Sequence, residues 1–341
     1  MPDIPLSIRK PPTGDAALTP DQVAFLVATA GRAPSVHNTQ PWRFRARETG
    51  LDVYADRDRR LRAIDPDGRE MLISCGAAVF GLRLGIRQLG YRATVELLPD
   101  PGHPSLLARV RLGRPAPLTA EEWEMLTAVP HRHTHRGPFS PEPIPPGLLP
   151  RLQHDAIAEG ATLVLVDQRS RGRLLGLVEA AARWQQRNPM VRDELRQWTR
   201  ERGSHTRDGV PAAAYTALPA GEEPPPGWDG ALTRRDFDQG RGEGQLEAGG
   251  MPPSATAILV TAADTPTDWL RAGQALNRML VHAAGTWVFA ALNSQPMESP
   301  PLRALVRARL YLPGAPQMLL EFGRAHTAAA TARRPVEDLI L

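Results

Sequence analysis

Ten residues between a helix end and a strand carry much of the chemistry this sequence offers: Ala33-Pro34-Ser35-Val36-His37-Asn38-Thr39-Gln40-Pro41-Trp42. Pro34 fixes a turn, Ser35 and Asn38 bring short polar groups, Gln40 brings an amide, and Trp42 a packing anchor. Connecting loops of this kind often carry binding residues. Such a loop can hydrogen-bond the edge of a flat heteroaromatic ring without adding charge. The same residues also suit a polar turn over a buried tryptophan, and composition does not choose between the two.

A second group is Arg132-His133-Thr134-His135-Arg136. In an extended segment residues 132, 134 and 136 share one face, so two arginines flank a hydroxyl and can grip a phosphate with charge-assisted bonds. The other face carries His131, His133 and His135, a metal-ligand alternative with no acidic or cysteine ligand beside it. A solvated basic loop is the third reading. The tail Arg333-Arg334-Pro335-Val336-Glu337-Asp338 is, by itself, a charged terminus. No Gly-x-Gly-x-x-Gly fingerprint or Walker loop is evident, which disfavours a tightly held Rossmann dinucleotide or a nucleoside triphosphate. The Gly-x-Ser-x-Gly elbow of serine hydrolases is absent too.

The elements that must position these groups are legible in outline. Thr19 reads as an N-cap with Pro20 at the first helical position, opening a helix whose apolar stripe is Val23, Leu26, Val27 and Ala30. Strands are expected over 42–47 and 51–55, joined at Thr49-Gly50. The run 69–90 is apolar nearly all round, which predicts a central buried helix. Strands over 93–98 and 106–112 close this part. The second part repeats the theme loosely: a helix over 145–159, a strand over 161–166, and a helical stretch over 169–200 broken near Asn188-Pro189. A strand over 256–261, an apolar helix over 268–292 and a strand over 317–322 follow. The expected division is 1–117 and 118–341. Residues 202–253, rich in Gly and Pro, form an insertion too long for an ordinary loop, so linker or lid. Tyr215, Trp228 and Phe237 favour a lid.

At 341 residues and 42% hydrophobic content the chain can bury a substantial core. No apolar run approaches the roughly 18 residues of a membrane span. Met1 to Lys10 lacks the order of a secretory signal, and the single cysteine, Cys75, excludes an intramolecular disulfide. A cytoplasmic location is expected. The formal charge of +4 raises nucleic acid, but Lys10 is the only lysine and the arginines mostly alternate with acids, as in Asp56-Arg57-Asp58-Arg59-Arg60. A phosphate-tracking surface would more often show basic runs interleaved with aromatics. No nucleic-acid or membrane partner is expected.

The loop Ala33-Pro34-Ser35…Asn38-x-Gln40-Pro41-Trp42 resembles the signature loop of FMN-dependent nitroreductases. Arg132-x-Thr134-x-Arg136 is similar to their Arg-x-Ser-x-Arg phosphate motif, with Thr for Ser, and Arg333 and Arg334 resemble the C-terminal basic residue that reaches the same phosphate. The stretches 65–70 leading into 74–78, 294–298 and 316–320 narrow the resemblance to the Acg-like branch, in which one chain carries two nitroreductase-like halves.

The resemblance implies an α+β fold: two related α/β halves forming a pseudo-dimer, with the Gly/Pro-rich lid as an insertion. It implies FMN held by Arg132, Thr134, Arg136, Arg333 and Arg334 from one half and by Pro34, Ser35, His37, Asn38 and Gln40 from the other. No catalytic side chain and no metal is expected, because FMN carries the chemistry. The N-terminal counterpart of the arginine motif is Pro5-Leu6-Ser7-Ile8-Arg9, and Ala158-Glu159-Gly160 stands where a second Ala-Pro-Ser would lie. One FMN per chain follows. A monomer with an internal pseudo-dimer is expected, with a homodimer left open. The implied activity is hydride transfer from NADH or NADPH through FMN to a nitro, quinone or similar small acceptor. The alternative is a protein that sequesters FMN under its lid with little or no turnover.

Overall fold

The computed structural model describes residues 17–137, 139–215, 235–239, 241, 254–326 and 331–341. Most of the expected insertion, Trp228 included, and Pro5 to Arg9 lie outside the described residues. The fold is α+β. In chain order the first part runs α1 (Pro20–Gly31), β1 (Trp42–Arg47), β2 (Gly50–Ala55), α2 (Arg69–Gln88), β3 (Tyr91–Leu97) and β4 (Leu106–Pro115). After α3 (Ala120–Ala128) come α4 (Leu148–Ala158), β5 (Thr162–Leu165), α5 (Gln168–Arg187), α6 (Pro189–Gln197), β6 (Thr199–Arg200) and β7 (Val210–Pro211). The chain continues through β8 (Ala255–Thr261), α7 (Pro266–Gly285), β9 (Val288–Leu292), α8 (Gln295–Glu298), α9 (Pro300–Arg309) and β10 (Ala315–Arg324).

Two four-stranded antiparallel sheets result, ordered β1-β2-β4-β3 and β5-β8-β10-β9. Each is first-second-fourth-third in its own sequence of strands, and each has a 20-residue helix, α2 or α7, between its second and third strands. The loose repetition in the sequence is thus a repetition of topology, with α5, α6 and the insertion placed between β5 and β8.

Local chemistry accounts for the helix starts. Thr19 and Gln22 form a reciprocal capping box before Pro20, and Thr265 with Asp268 does the same for α7. Asn188 ends α5 and caps α6, with Pro189 in the first turn. Two stretches differ from expectation. The helix predicted through Leu292 stops at Gly285; Trp287 takes a left-handed φ of 59°, and Val288–Leu292 becomes a strand paired with β10. A fully buried strand is an unbroken apolar run, and periodicity does not separate it from a buried helix. The amphipathic helices α3 and α9 also add to the reading, α3 behind a Thr119–Glu122 capping box.

The central helices α2 and α7 cross in backbone contact. A Cβ on Gly273 would sit 1.9 Å from the Ile73 carbonyl oxygen, and one on Gly76 2.2 Å from that of Leu270. The crossing buries Cys75, Ala77, Val79 and Leu82 on one side and Ala272, Leu276 and Met279 on the other. Two glycines therefore set the distance between the parts. Gly273→Ala is expected to destabilise the chain by about 1–3 kcal/mol through overpacking. Gly176→Ala, on an open face of α5, should stabilise it by about 0.5–1 kcal/mol through helix propensity. Urea denaturation of both variants checks the pair, and equal effects would refute the close crossing.

Candidate functional site

The Pro34–Trp42 loop is held in a conformation most residues avoid. His37, Asn38 and Gln40 all have left-handed φ, at 45°, 56° and 50°, on the order of 1–3 kcal/mol of strain each. Many bonds impose it. The Ser74 Oγ on α2 accepts from Val36 N (3.1 Å), and Ser35 Oγ accepts from Gln40 N (3.0 Å). Asn38 Nδ2 donates to Gly209 O (3.0 Å) and Ala332 O (3.1 Å), while its Oδ1 accepts from Arg333 (2.9 Å). Gln40 Nε2 donates to Arg207 O (2.7 Å), and its Oε1 accepts from Arg334 N (2.8 Å).

The basic segment comes to this loop from the other half. Thr134 bridges Ala290 of β9, and His135 N donates to Ala290 O (2.9 Å). Arg132 is buried, with one terminal nitrogen donating to Arg32 O (3.0 Å) and the other, NH1, buried without a partner. The tail reaches the same carbonyls: Arg333 donates toward Ala33 O (3.3 Å) and Arg32 O (3.4 Å), and its Nε is buried without a partner. The tail itself is pinned to β1, since Phe44 N donates to Leu339 O and Leu341 N to Phe44 O, both at 2.7 Å.

The electrostatics of this pocket are one-sided. Burial, then Arg333, Arg136 and Arg32, depresses Arg132 to about 9. Burial lowers Arg136 to about 10, and burial with Arg32 and Arg136 lowers Arg333 to about 10. Among the described residues, no acid acts on any of the three. His37, buried near them, is driven well below its ordinary value by burial, Arg235 and Arg136, so its ring is neutral; neither ring nitrogen has a partner.

The segment 235–239 closes over the loop. The Phe237 ring meets His37 edge-on at 5.4 Å, Tyr215 at 5.9 Å and the Arg136 guanidinium at 5.6 Å. Arg235 ion-pairs with Glu298, approaches Ser294 Oγ (3.4 Å) and keeps NH1 buried without a partner. On either side of Ser294, Asn293 Nδ2 and Gln295 Nε2 are buried and unpartnered as well.

The sequence-selected residues therefore divide. Arg132, Arg333 and His37 converge with unpartnered buried nitrogens, and Arg136 lies with them, over the Phe237 ring. Asn38, Gln40 and Arg334 spend their side chains on the loop, the tail and residues 207–209; Arg334 also faces Asp56 (3.5 Å). Pro34 is buried, Ser35 bonds within the loop, and Thr134 contributes the backbone bridge. The three histidines turn apart: His131 toward Trp287 (5.9 Å), His133 onto its neighbour's carbonyl (2.6 Å), His135 onto Phe139 (4.8 Å). Sequence reasoning assigned no role to Arg32, Arg235, Asn293 or Gln295. The Ser294–Glu298 stretch had drawn attention only as a similarity, and Arg235 had no local signal at all.

The fold and this pocket define an α+β chain built from a repeated unit, with a cationic, donor-rich chamber. Comparison with known proteins gives the family. The chain is 30% identical over 331 residues to the Mycobacterium tuberculosis protein named "Putative NAD(P)H nitroreductase Rv3131", covering 94% of this chain and 91% of that one. It is 28% identical over 330 residues to "Putative NAD(P)H nitroreductase acg" of the same organism, covering 95% and 97%. No protein-family model matches the chain. Among solved structures, a nitroreductase-like protein from Bacillus cereus aligns over 63% of this chain and 92% of its own, with TM-score 0.36 and 13% identity. The chain belongs to the nitroreductase family, on the branch that includes Acg.

Arg132, buried with a like charge on each side, has a definite pH signature. Its folded value, about 9, lies below its unfolded one, so the unfolded chain holds the proton more tightly, and this group's contribution to stability rises as pH climbs above about 9. At pH 7 it is a liability that an anion relieves. Inorganic phosphate should raise the melting temperature of the ligand-free chain, and Arg132→Gln should remove most of that rise. Equal phosphate shifts in the two proteins, read by thermal unfolding, would refute an anion pocket here.

Proposed function

We propose that the chain binds FMN between two halves, residues 1–117 and 118–341, and serves as an NAD(P)H-dependent oxidoreductase for a small nitro, quinone or similar acceptor. The observation that carries this reading is the buried Arg132 with the half-buried Arg136 and Arg333 beside it and, among the described residues, no carboxylate acting on any of the three. Arg132, Arg136 and Arg333 supply the charge to offset a phosphate monoester, which carries about −1.5 to −2 at pH 7. The unpartnered donors His37, Asn293 Nδ2, Gln295 Nε2 and Arg235 NH1 suit the acceptor-rich edges of an isoalloxazine. The donor set fits FMN, and it does not fit a cation.

In this reading Arg132, Thr134, Arg136 and Arg333 hold the phosphate, and Pro34, Ser35 and His37 meet the ring. Asn38, Gln40 and Arg334 keep the loop in its strained form. When bound, FMN supplies a ring that accepts and returns hydride, while the protein supplies position, charge and exclusion of water. The Arg-x-Thr-x-Arg segment and the Pro-Ser loop are each present once, so one FMN per chain is expected. The two central helices pack on one another within one chain, each backed by its own sheet, which supports a monomer. A cytoplasmic setting accords with reduced NAD(P)H as donor and with the single buried thiol.

A second reading has its own observation. Phe237, supported by Tyr215, packs on His37 and Arg136, where a nicotinamide or nitroaromatic would otherwise approach. A cover of that kind suits a protein that stores FMN. Anaerobic mixing of the purified yellow protein with NADH or NADPH separates the two. Rapid bleaching near 450 nm supports turnover, and a stable yellow colour supports storage. A colourless chain that declines FMN on titration sinks both. Arg132→Ala should weaken FMN binding by roughly 10- to 100-fold, as expected for a charged hydrogen bond worth about 1.5–3 kcal/mol, measured by quenching of flavin fluorescence.

A further inference from the structure

Against Arg132, where α1, α2, α7 and the chain leaving α3 meet, lies a small cavity that the flavin contacts above do not use. Its walls are mostly apolar, with Phe80 and Leu84 of α2, Val281 of α7 and Val129 after α3, and two polar residues, Arg132 and Asn277, complete it. Both are almost wholly buried, at 4% and 3% exposed. The space holds about one water molecule.

Each polar residue brings one committed group and one spare. Arg132 spends NH2 on Arg32 O (3.0 Å), and Asn277 Nδ2 donates to Ala77 O (2.8 Å) across the crossing of α7 and α2. The second bond fixes which way the amide is turned, because a carbonyl accepts only from the nitrogen. Arg132 NH1 and Asn277 Oδ1 are both buried, and neither has a partner among the described residues. Two residues lining one cavity thus leave a charged donor and an amide acceptor unspent, where buried polar groups are normally satisfied.

The chemistry of the pair names what fits between them. The occupant must accept from a guanidinium and donate to an amide oxygen. A halide or carboxylate has no hydrogen for Asn277, a cation is repelled by Arg132, and a phosphate monoester is too large for the space. A hydroxyl does both, and water is the one of the right size. One turn earlier on α7 an amide oxygen takes an arginine directly: Gln274 Oε1 accepts from Arg83 NH1 at 2.9 Å. Asn277, shorter by one methylene, makes no such direct bond.

We propose that one ordered water is bound between Arg132 NH1 and Asn277 Oδ1, and that Asn277 is thereby the positioning residue for Arg132. The guanidinium is held at both ends, by the Arg32 carbonyl on one nitrogen and by the water on the other. Its remaining N–H groups stay available to an anion in the chamber. The water site stands on these contacts alone, while the use of Arg132 on a flavin phosphate rests on the function proposed above.

The test follows the guanidinium itself in the isotope-labelled full chain, by nuclear magnetic resonance, and needs no turnover. Arg132 is assigned by the signals that Arg132→Gln removes. Rotation of its terminal nitrogens is measured from exchange among their N–H signals in wild type, Asn277→Leu and Asn277→Asp. Both substitutions lose the bond to Ala77 O, and only the aspartate keeps an oxygen for the cavity. Rotation is expected to be roughly 10- to 100-fold faster in Asn277→Leu, the loss of one charge-assisted hydrogen bond, and no faster in Asn277→Asp. Equal rates in the two variants would place Asn277 in the helix crossing only and overturn the proposal, as would a wild-type rate in Asn277→Leu. Should either variant not fold, a wild-type crystal structure that resolves ordered water decides. An oxygen within hydrogen-bonding distance of both Arg132 NH1 and Asn277 Oδ1 supports the site, and a dry cavity overturns it. A chain that keeps this water and declines FMN counts against the flavin reading alone.

Discussion

Buried like charges repel, and the site exists because the scaffold forces three of them together. Arg132 arrives on a segment bridged to β9, Arg136 on the same segment four residues later, and Arg333 on a tail pinned to β1. None of these attachments runs through the guanidinium groups. Arg132 and Arg333 then spend part of their guanidinium bonding on the carbonyls of Arg32 and Ala33, and each keeps one buried nitrogen unspent. Folding tolerates the arrangement because the cost of uncompensated charge is carried by two sheets and a central helix pair. On the proposed function an anion recovers that cost on binding.

The repeated topology makes the contrast sharp. On the other side of the α2–α7 pair, Glu159 ends α4 as Ala33 and Pro34 follow α1. There the arginines are answered: Arg83 and Arg278 both pair with Glu159, and Arg278 also meets Asp155 (3.0 Å) and Glu121 (2.7 Å). Asp155 is completely buried and takes His282 as well. One end of the duplicated framework is therefore an internally neutralised ion network, and the other is left electrically incomplete. Glu159 at one end, against Pro34-Ser35 at the other, marks the difference between the neutralised network and the arginine cluster.

Much of this was legible in the residues because the relevant signals are local. Thr19-Pro20, Asn188-Pro189 and the apolar face of α2 each announce themselves within a few positions. So do the Pro-Ser loop and the Arg-x-Thr-x-Arg segment, whose residue types state their chemistry. What escaped is what distance in sequence hides. Val288–Leu292 was read as helix because a core strand and a core helix share an apolar composition. Asn38 and Gln40 are chemically fit to face a ring, yet their amides close bonds to Arg207, Gly209 and Ala332. Arg235 lies in a run of alternating charges, Arg234-Arg235-Asp236, that gives it no distinct signal, and its meaning comes from Glu298, 63 positions away.

Those amide bonds also make the loop and the insertion parts of one device. The left-handed residues His37, Asn38 and Gln40 are stable only while Gly209 N meets Asn38 O (3.3 Å) and the two side chains hold residues 207 and 209. Arg59 fastens the same stretch by pairing with Asp208 (3.0 Å), and Glu194 on α6 accepts from Ala63 N and Ile64 N. The strained loop and the start of the insertion therefore share their hydrogen bonds. Displacing one costs the other its geometry, so access to the chamber and the shape of its Pro-Ser wall are coupled. Phe237 packs on His37 within the same strained loop, so the aromatic contact and the bonds of Asn38 and Gln40 hold one segment together.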